Sequence, residues 1–153
     1  MATASQVAKY IVNFYQQCGD PVTNLKLQKL LYYVQGWHLG LKGTSAFDDR
    51  IEAWVHGPVQ PGVYREYNAN RWNPIVNEVQ VPALSEELTS LVADVLETYG
   101  GDSGYELELR SHREEPWLEA RGALAPDENS NAALSHVTME RFFSALAADG
   151  EAQ

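Results

Sequence analysis

The chain holds four histidines (His38, His56, His112 and His136), a single cysteine (Cys18), and adjacent pairs that could exchange protons, among them Ser111-His112 and Glu114-Glu115. A helical zinc site places two ligands at i and i+4 on one face. No two of these histidines have that spacing, and His-Glu-x-x-His does not occur. Ser111 and His112 are neighbours in sequence and so point apart on a helix, which does not make a nucleophile and its base. Cys18 has no partner for a disulfide and no nearby charge that would hold it as a thiolate. It reads as a half-buried structural thiol. Gly57-Pro58 and Gly100-Gly101 punctuate turns and lack the pattern of a phosphate-cradling loop. Asp48-Asp49, Glu86-Glu87 and Glu114-Glu115 read as solvated caps and loops. No set of residues assembles the roles a catalytic site requires, so the expectation is no enzyme, no metal and no cofactor.

A contact surface fits the residue types better. Trp54, His56, Pro58, Tyr64, Tyr67 and Trp117 are rigid or amphipathic and cluster around turns, where they give contact area with little entropy lost on docking. These six are the candidate partner-binding residues. Trp54 also has a second reading, in which it packs beneath the Tyr64–Tyr67 segment.

These residues need a scaffold. The spacing of Val7, Ile11, Phe14 and Tyr15 predicts a helix from about Ser5 to Cys18, closed by Gly19-Asp20-Pro21. Leu27, Leu30, Leu31, Val34, His38 and Leu41 form a second stripe at steps of three and four. Thr23 or Asn24 caps its start, and Gly40 and Gly43 stand where it should stop. Lys26 and Lys29 lie off that stripe and, with Arg65, offer a small basic face. Ile51–Val55 reads as a short strand leading into a His56-Gly57-Pro58 turn, and Gly62–Tyr67 as a short helix. Ile75–Val81 alternates weakly and reads as a second strand that would pair with the first. Ser85 begins the clearest downstream helix, and Ser103-x-x-Glu106 is a capping box. Pro116–Arg121 follows with proline in the first turn. Gly122–Ala133 is polar and loop-like. Ser135 caps a last helix whose Met139, Phe142, Phe143 and Leu146 face inward, with fraying expected over Asp149–Gln153. The sum is a mainly α fold, a single compact helical domain over residues 1–153 (core about 5–147) with a small two-stranded β element.

The formal net charge is −10, unevenly spread. Residues 1–72 hold seven Lys/Arg and five Asp/Glu, whereas residues 73–153 hold four and sixteen. That balance disfavours nucleic acid as a partner. No leader and no membrane-length apolar run is present, so a soluble cytoplasmic protein is expected.

The strings LKLQKLLYYVQGWHL, F-D-D-x-I-E-A-W-V-H-G-P-V and V-Y-R-E-Y occur in that order, and Ser111-His112, Glu115-Pro116-Trp117 and Ala120-Arg121 follow. Together they resemble the Panacea antitoxin domain, also called SocA-like or GepA-like, over roughly residues 5 to 145. The family positions matched are Leu25, Lys26, Leu27, Gln28, Lys29, Leu30, Tyr32, Gln35 and Trp37, then Ile51, Ala53, Trp54, His56, Gly57, Pro58, Val59 and Tyr64, then His112, Pro116 and Trp117. Ser111 departs from the threonine more usual before the histidine, and keeps the hydroxyl. The resemblance implies an antitoxin of a bacterial or prophage toxin–antitoxin pair, whose partner is a cognate toxin encoded by an adjacent gene and neutralised by direct binding. One branch of the family is instead a proteolytic adaptor delivering its toxin to a Clp-type protease. A metal-dependent enzyme is the remaining alternative.

Overall fold

The computed structural model describes residues 1–152, with side chains through residue 150. Seven α-helices and one β-hairpin form a mainly α fold around one hydrophobic core among the described residues. The elements are α1 (Ala4–Gln17), α2 (Asn24–Lys42), β1 (Glu52–Trp54), β2 (Gly57–Val59), α3 (Pro61–Tyr67), α4 (Glu86–Tyr99), α5 (Gly104–Ser111), α6 (Glu115–Arg121) and α7 (His136–Ala152).

Local chemistry sets the helix starts. The side chains of Thr23, Ser85 and Ser103 each accept from a backbone N–H three residues on, and Ser103 with Glu106 completes a capping box. Ser135 Oγ accepts from Thr138 N at 3.2 Å.

Helix α2 is the axis of the fold. Its apolar stripe is buried through Leu39, but Gln28, Lys29, Tyr32, Tyr33, Gln35 and Gly36 are buried as well, so it is covered on nearly every side. Leu41 is exposed and His38 half-buried at its end. The helix does not stop at Gly40. It runs on to Lys42 and is closed by Gly43, whose φ of 72° suits a left-handed cap. Gly36 and Gly40 instead let α7 approach: a Cβ on Gly36 would lie 2.1 Å from the Phe143 ring, and one on Gly40 2.8 Å from the Phe143 carbonyl carbon. Tyr32, Tyr33 and Trp37 pack edgewise on the same Phe143 ring.

The strand that pairs with β1 is β2, not Ile75–Val81. The two-residue connection Val55-His56 returns the chain at once, with Gly57 at φ 102°. Pro58 is tolerated because it sits opposite Ala53, whose own backbone points away from it. Ala53 N–H donates to Ala132 O at 2.9 Å, and Ala53 O accepts from Arg121 at 3.0 Å. The end of the polar Gly122–Ala133 stretch is therefore not a free loop, since Leu134 N also bonds Ile51 O. Residues 75–81 hold one backbone bond, Ile75 N to Val22 O, and bend at Asn77.

Other expectations change for similar reasons. Phe14 lies on the outer side of α1 and is exposed, as is Cys18 beyond its end. Asp149 and Gly150 continue α7, and Gln153, where fraying was expected to end, lies outside the described residues.

Candidate protein-interaction site

The hairpin, α2, α3, α5 and the Asp127–Asn131 loop enclose an open groove of about 1170 Å³. Trp54, His56 and Tyr64 line it, together with Arg71, Trp72 and Glu108. Trp54 meets Tyr64 edge-to-face at 5.0 Å, so it packs on α3 as its second reading expects, and it remains half-exposed. Its indole N–H donates to Glu52 Oε1 at 2.8 Å, and Arg50 pairs with Glu52 Oε2 at 2.8 Å. His56 projects from the turn and lies 3.2 Å from Glu108 Oε2.

Pro58, Tyr67 and Trp117 sit beneath this surface and are buried. Trp117 donates from its indole N–H to Trp54 O at 2.9 Å and stacks on His112 at 4.2 Å. The Arg121 guanidinium lies over the Trp117 ring, 4.9 Å from its centroid. Buried Arg121 donates to Ala53 O, Ala125 O and Glu128 O, tying the hairpin to the loop that walls the groove. Arg121→Met should cost about 2–3 kcal/mol, because these carbonyls lose a charged donor. Urea unfolding of the variant measures it, and Arg121→Lys should restore only part, lacking the planar fork.

Lys29 is not part of an exposed basic face. It is 0% exposed, and its ammonium donates to Pro58 O at 3.0 Å. Burial pushes its pKa down to about 7, partly opposed by the Glu108 carboxylate. A Cβ on Gly57 would meet Lys29 Cε at 2.7 Å and Ser111 Oγ at 2.9 Å, so the hairpin lies directly on this lysine. Lys26 is engaged too, donating to Gly100 O at 2.6 Å above the Tyr15 ring. Gln28 accepts from Gln60 N at 2.9 Å and so fixes the entry to α3. Gln35 accepts from Ala46 N and donates to Phe47 O. Trp37 donates to Tyr99 OH at 2.8 Å, and Pro116 is buried in the first turn of α6.

Glu114 is buried, not solvated. Both Tyr32 OH and Tyr33 OH donate to its Oε1, at 3.0 and 3.1 Å. Burial pushes its pKa up to about 7, and the two hydroxyls pull against that rise. Burial likewise raises both tyrosines, with the neighbouring carboxylate adding to it. His112 is shifted down by burial, with Glu108 opposing. Among the described residues no group of three or more His, Cys, Asp and Glu is placed to hold a metal ion. No helix among them is long and apolar enough to cross a membrane.

Arg71, Trp72 and Glu108 carry no sequence expectation as lining residues, and the Asp127–Asn131 segment was read only as loop. Trp72 had a usable signal, an aromatic inside the polar Asn68–Pro74 stretch.

A central buried helix, a tight hairpin laid over its lysine and a groove beside them define a helical scaffold. The sequence profile of the antitoxin SocA-like, Panacea domain matches residues 27–118, and the chain belongs to that family. It is 32% identical over 127 residues to Antitoxin SocA of Caulobacter vibrioides, an alignment that covers 74% of this chain and 68% of that relative. No solved structure matches.

Proposed function

We propose that the protein is an antitoxin that neutralises a cognate toxin by binding it at the Trp54–Tyr64 groove, with no bond made or broken. Family membership supports an antitoxin role. The observation that carries the site is the groove itself: its aromatic and histidine side chains lie within the matched segment and are accessible, while Gln28, Lys29, Gln35 and Trp117 in that segment are buried and hydrogen-bonded within the fold. Trp and Tyr in such a position are the residue types that dominate binding energy.

Co-expression with neighbouring open reading frames tests the function. One of them should arrest growth alone and not in company. Trp54→Ala and Tyr64→Ala should each remove about 2 kcal/mol of binding, roughly 30-fold, and weaken protection while melting stays cooperative. Full protection by both folded variants would move the site elsewhere. Toxin abundance separates the two mechanisms. Direct inhibition leaves it unchanged, whereas Clp-dependent loss of the toxin would mark the chain as an adaptor.

A further inference from the structure

Residues 78–84, Glu-Val-Gln-Val-Pro-Ala-Leu, run without bend or turn between the Asn77 corner and the cap of α4. Among the described residues no backbone N–H or C=O of this ribbon makes a hydrogen bond. It is nevertheless fixed at both ends. Gln16 Nε2 donates to Ile75 O at 3.1 Å and to Asn77 O at 2.8 Å, and Ser85 caps α4. Val79 and Leu84 rest on the core. Outward it presents apolar surface: Val81 is 51% exposed, and just upstream Val76 is 73% and Trp72 78% exposed. The sequence pattern is that of a strand, β-branched and alternating, yet among the described residues no strand pairs with it.

An extended segment with unpaired backbone groups is a template for a strand of another chain. We propose that Glu78–Val81 is a second contact for the toxin, which adds an edge strand of basic character along it; this rests on the toxin-binding reading above. Charge selects that occupant. From Trp72 to Leu109 the sequence has eight Asp/Glu and no Lys or Arg. A second copy of this chain, at −10, would be repelled, and a basic strand attracted. Pro82 has no N–H and ends the ladder, so the contact is four residues long. Trp72, which lines the groove, stands just upstream of the ribbon in sequence.

Amide hydrogen exchange tests this with two probes: an alternating lysine–valine peptide, and the toxic protein recovered in the co-expression screen. The 78–81 amides should exchange freely in the protein alone and at least tenfold more slowly with either probe. A glutamate–valine peptide should leave them unchanged. Gln80→Pro removes an N–H from one edge of the ribbon and Val81→Pro from the other, and neither N–H is bonded within the chain. Both variants should melt as the parent does, and one of them should bind at least tenfold more weakly. Unchanged exchange with both probes, or parental affinity in both variants, overturns the proposal. If the toxin protects only the groove, toxin binding stands and the ribbon contact falls. If light scattering shows dimers that protect 78–81, the occupant is a second copy and the toxin assignment is wrong.

Discussion

Chemical unfolding is expected to find the protein least stable near pH 7, with stability rising on both sides. Two buried ionisable groups, Glu114 and Lys29, produce this. Glu114 titrates at about 7 in the fold and near the ordinary carboxyl value of 4.5 in the unfolded chain. A raised pKa means stability is fully present below 4.5 and is lost as pH climbs through 7. Lys29 titrates at about 7 folded and near 10.5 unfolded. A lowered pKa means its contribution is full above 10.5 and is lost as pH falls through 7. The branches are on the order of 3 and 5 kcal/mol by linkage at 1.36 kcal/mol per unit. Glu114→Gln should flatten the acid branch between 4.5 and 7, because an amide still accepts from Tyr32 and Tyr33 without a charge to desolvate. Lys29→Met should flatten the alkaline branch. Glu114→Ala should cost about 2–4 kcal/mol at pH 5, since it leaves two buried hydroxyls without their acceptor. A wild-type profile that peaks at pH 7 and is unaltered by Glu114→Gln would contradict this account of the interior.

The second large effect concerns the crossing of α2 and α7. Gly40→Ala should destabilise by about 2–4 kcal/mol, an overpacking effect at the strong end of its usual range. The added Cβ meets backbone, Phe143 C at 2.8 Å and Ser144 N at 2.9 Å, so relief requires α7 to move. Gly43→Ala should cost only about 1 kcal/mol, the left-handed penalty at φ 72°, because the nearest atom is the Glu140 carboxylate at 3.7 Å. Equilibrium unfolding of the two variants gives the order. If Gly43→Ala were the more damaging, the close approach of α7 would not limit this interface.

What the sequence discloses and what it hides divide along the range of the interaction. Thr23, Ser85, Ser103, Ser135 and Pro116 act within one helical turn, so the starts of their helices are legible from a few residues. The heavily apolar α2 is legible too, and with it the mainly α class. Lys29 reads as a surface lysine because the hairpin that covers it, at Gly57 and Pro58, comes 28 and 29 residues further on. Glu114 reads as half of a solvated pair because its partners, Tyr32 and Tyr33, lie 82 and 81 residues away. The pairing of β1 was misassigned because alternation at Ile75–Val81 is a stronger strand pattern than Gly57-Pro58-Val59, which contains a proline. Only the two-residue return and the outward-facing backbone of Ala53 make that proline acceptable. Of the six candidate contact residues, Trp54, His56 and Tyr64 line the groove. Tyr67 and Trp117 share those residue types but are buried, and alternation cannot tell a rim residue from a supporting one.

The proposed function requires stoichiometric binding through the groove. Isothermal titration of the purified toxin into the wild-type chain and into Trp54→Ala, with melting followed alongside, tests it most directly. The predicted result is a saturable 1:1 isotherm whose affinity falls about 30-fold in a variant that melts as the parent does. A folded Trp54→Ala that binds with parental affinity, or a toxin silenced by sub-stoichiometric amounts of this chain through turnover, would contradict it.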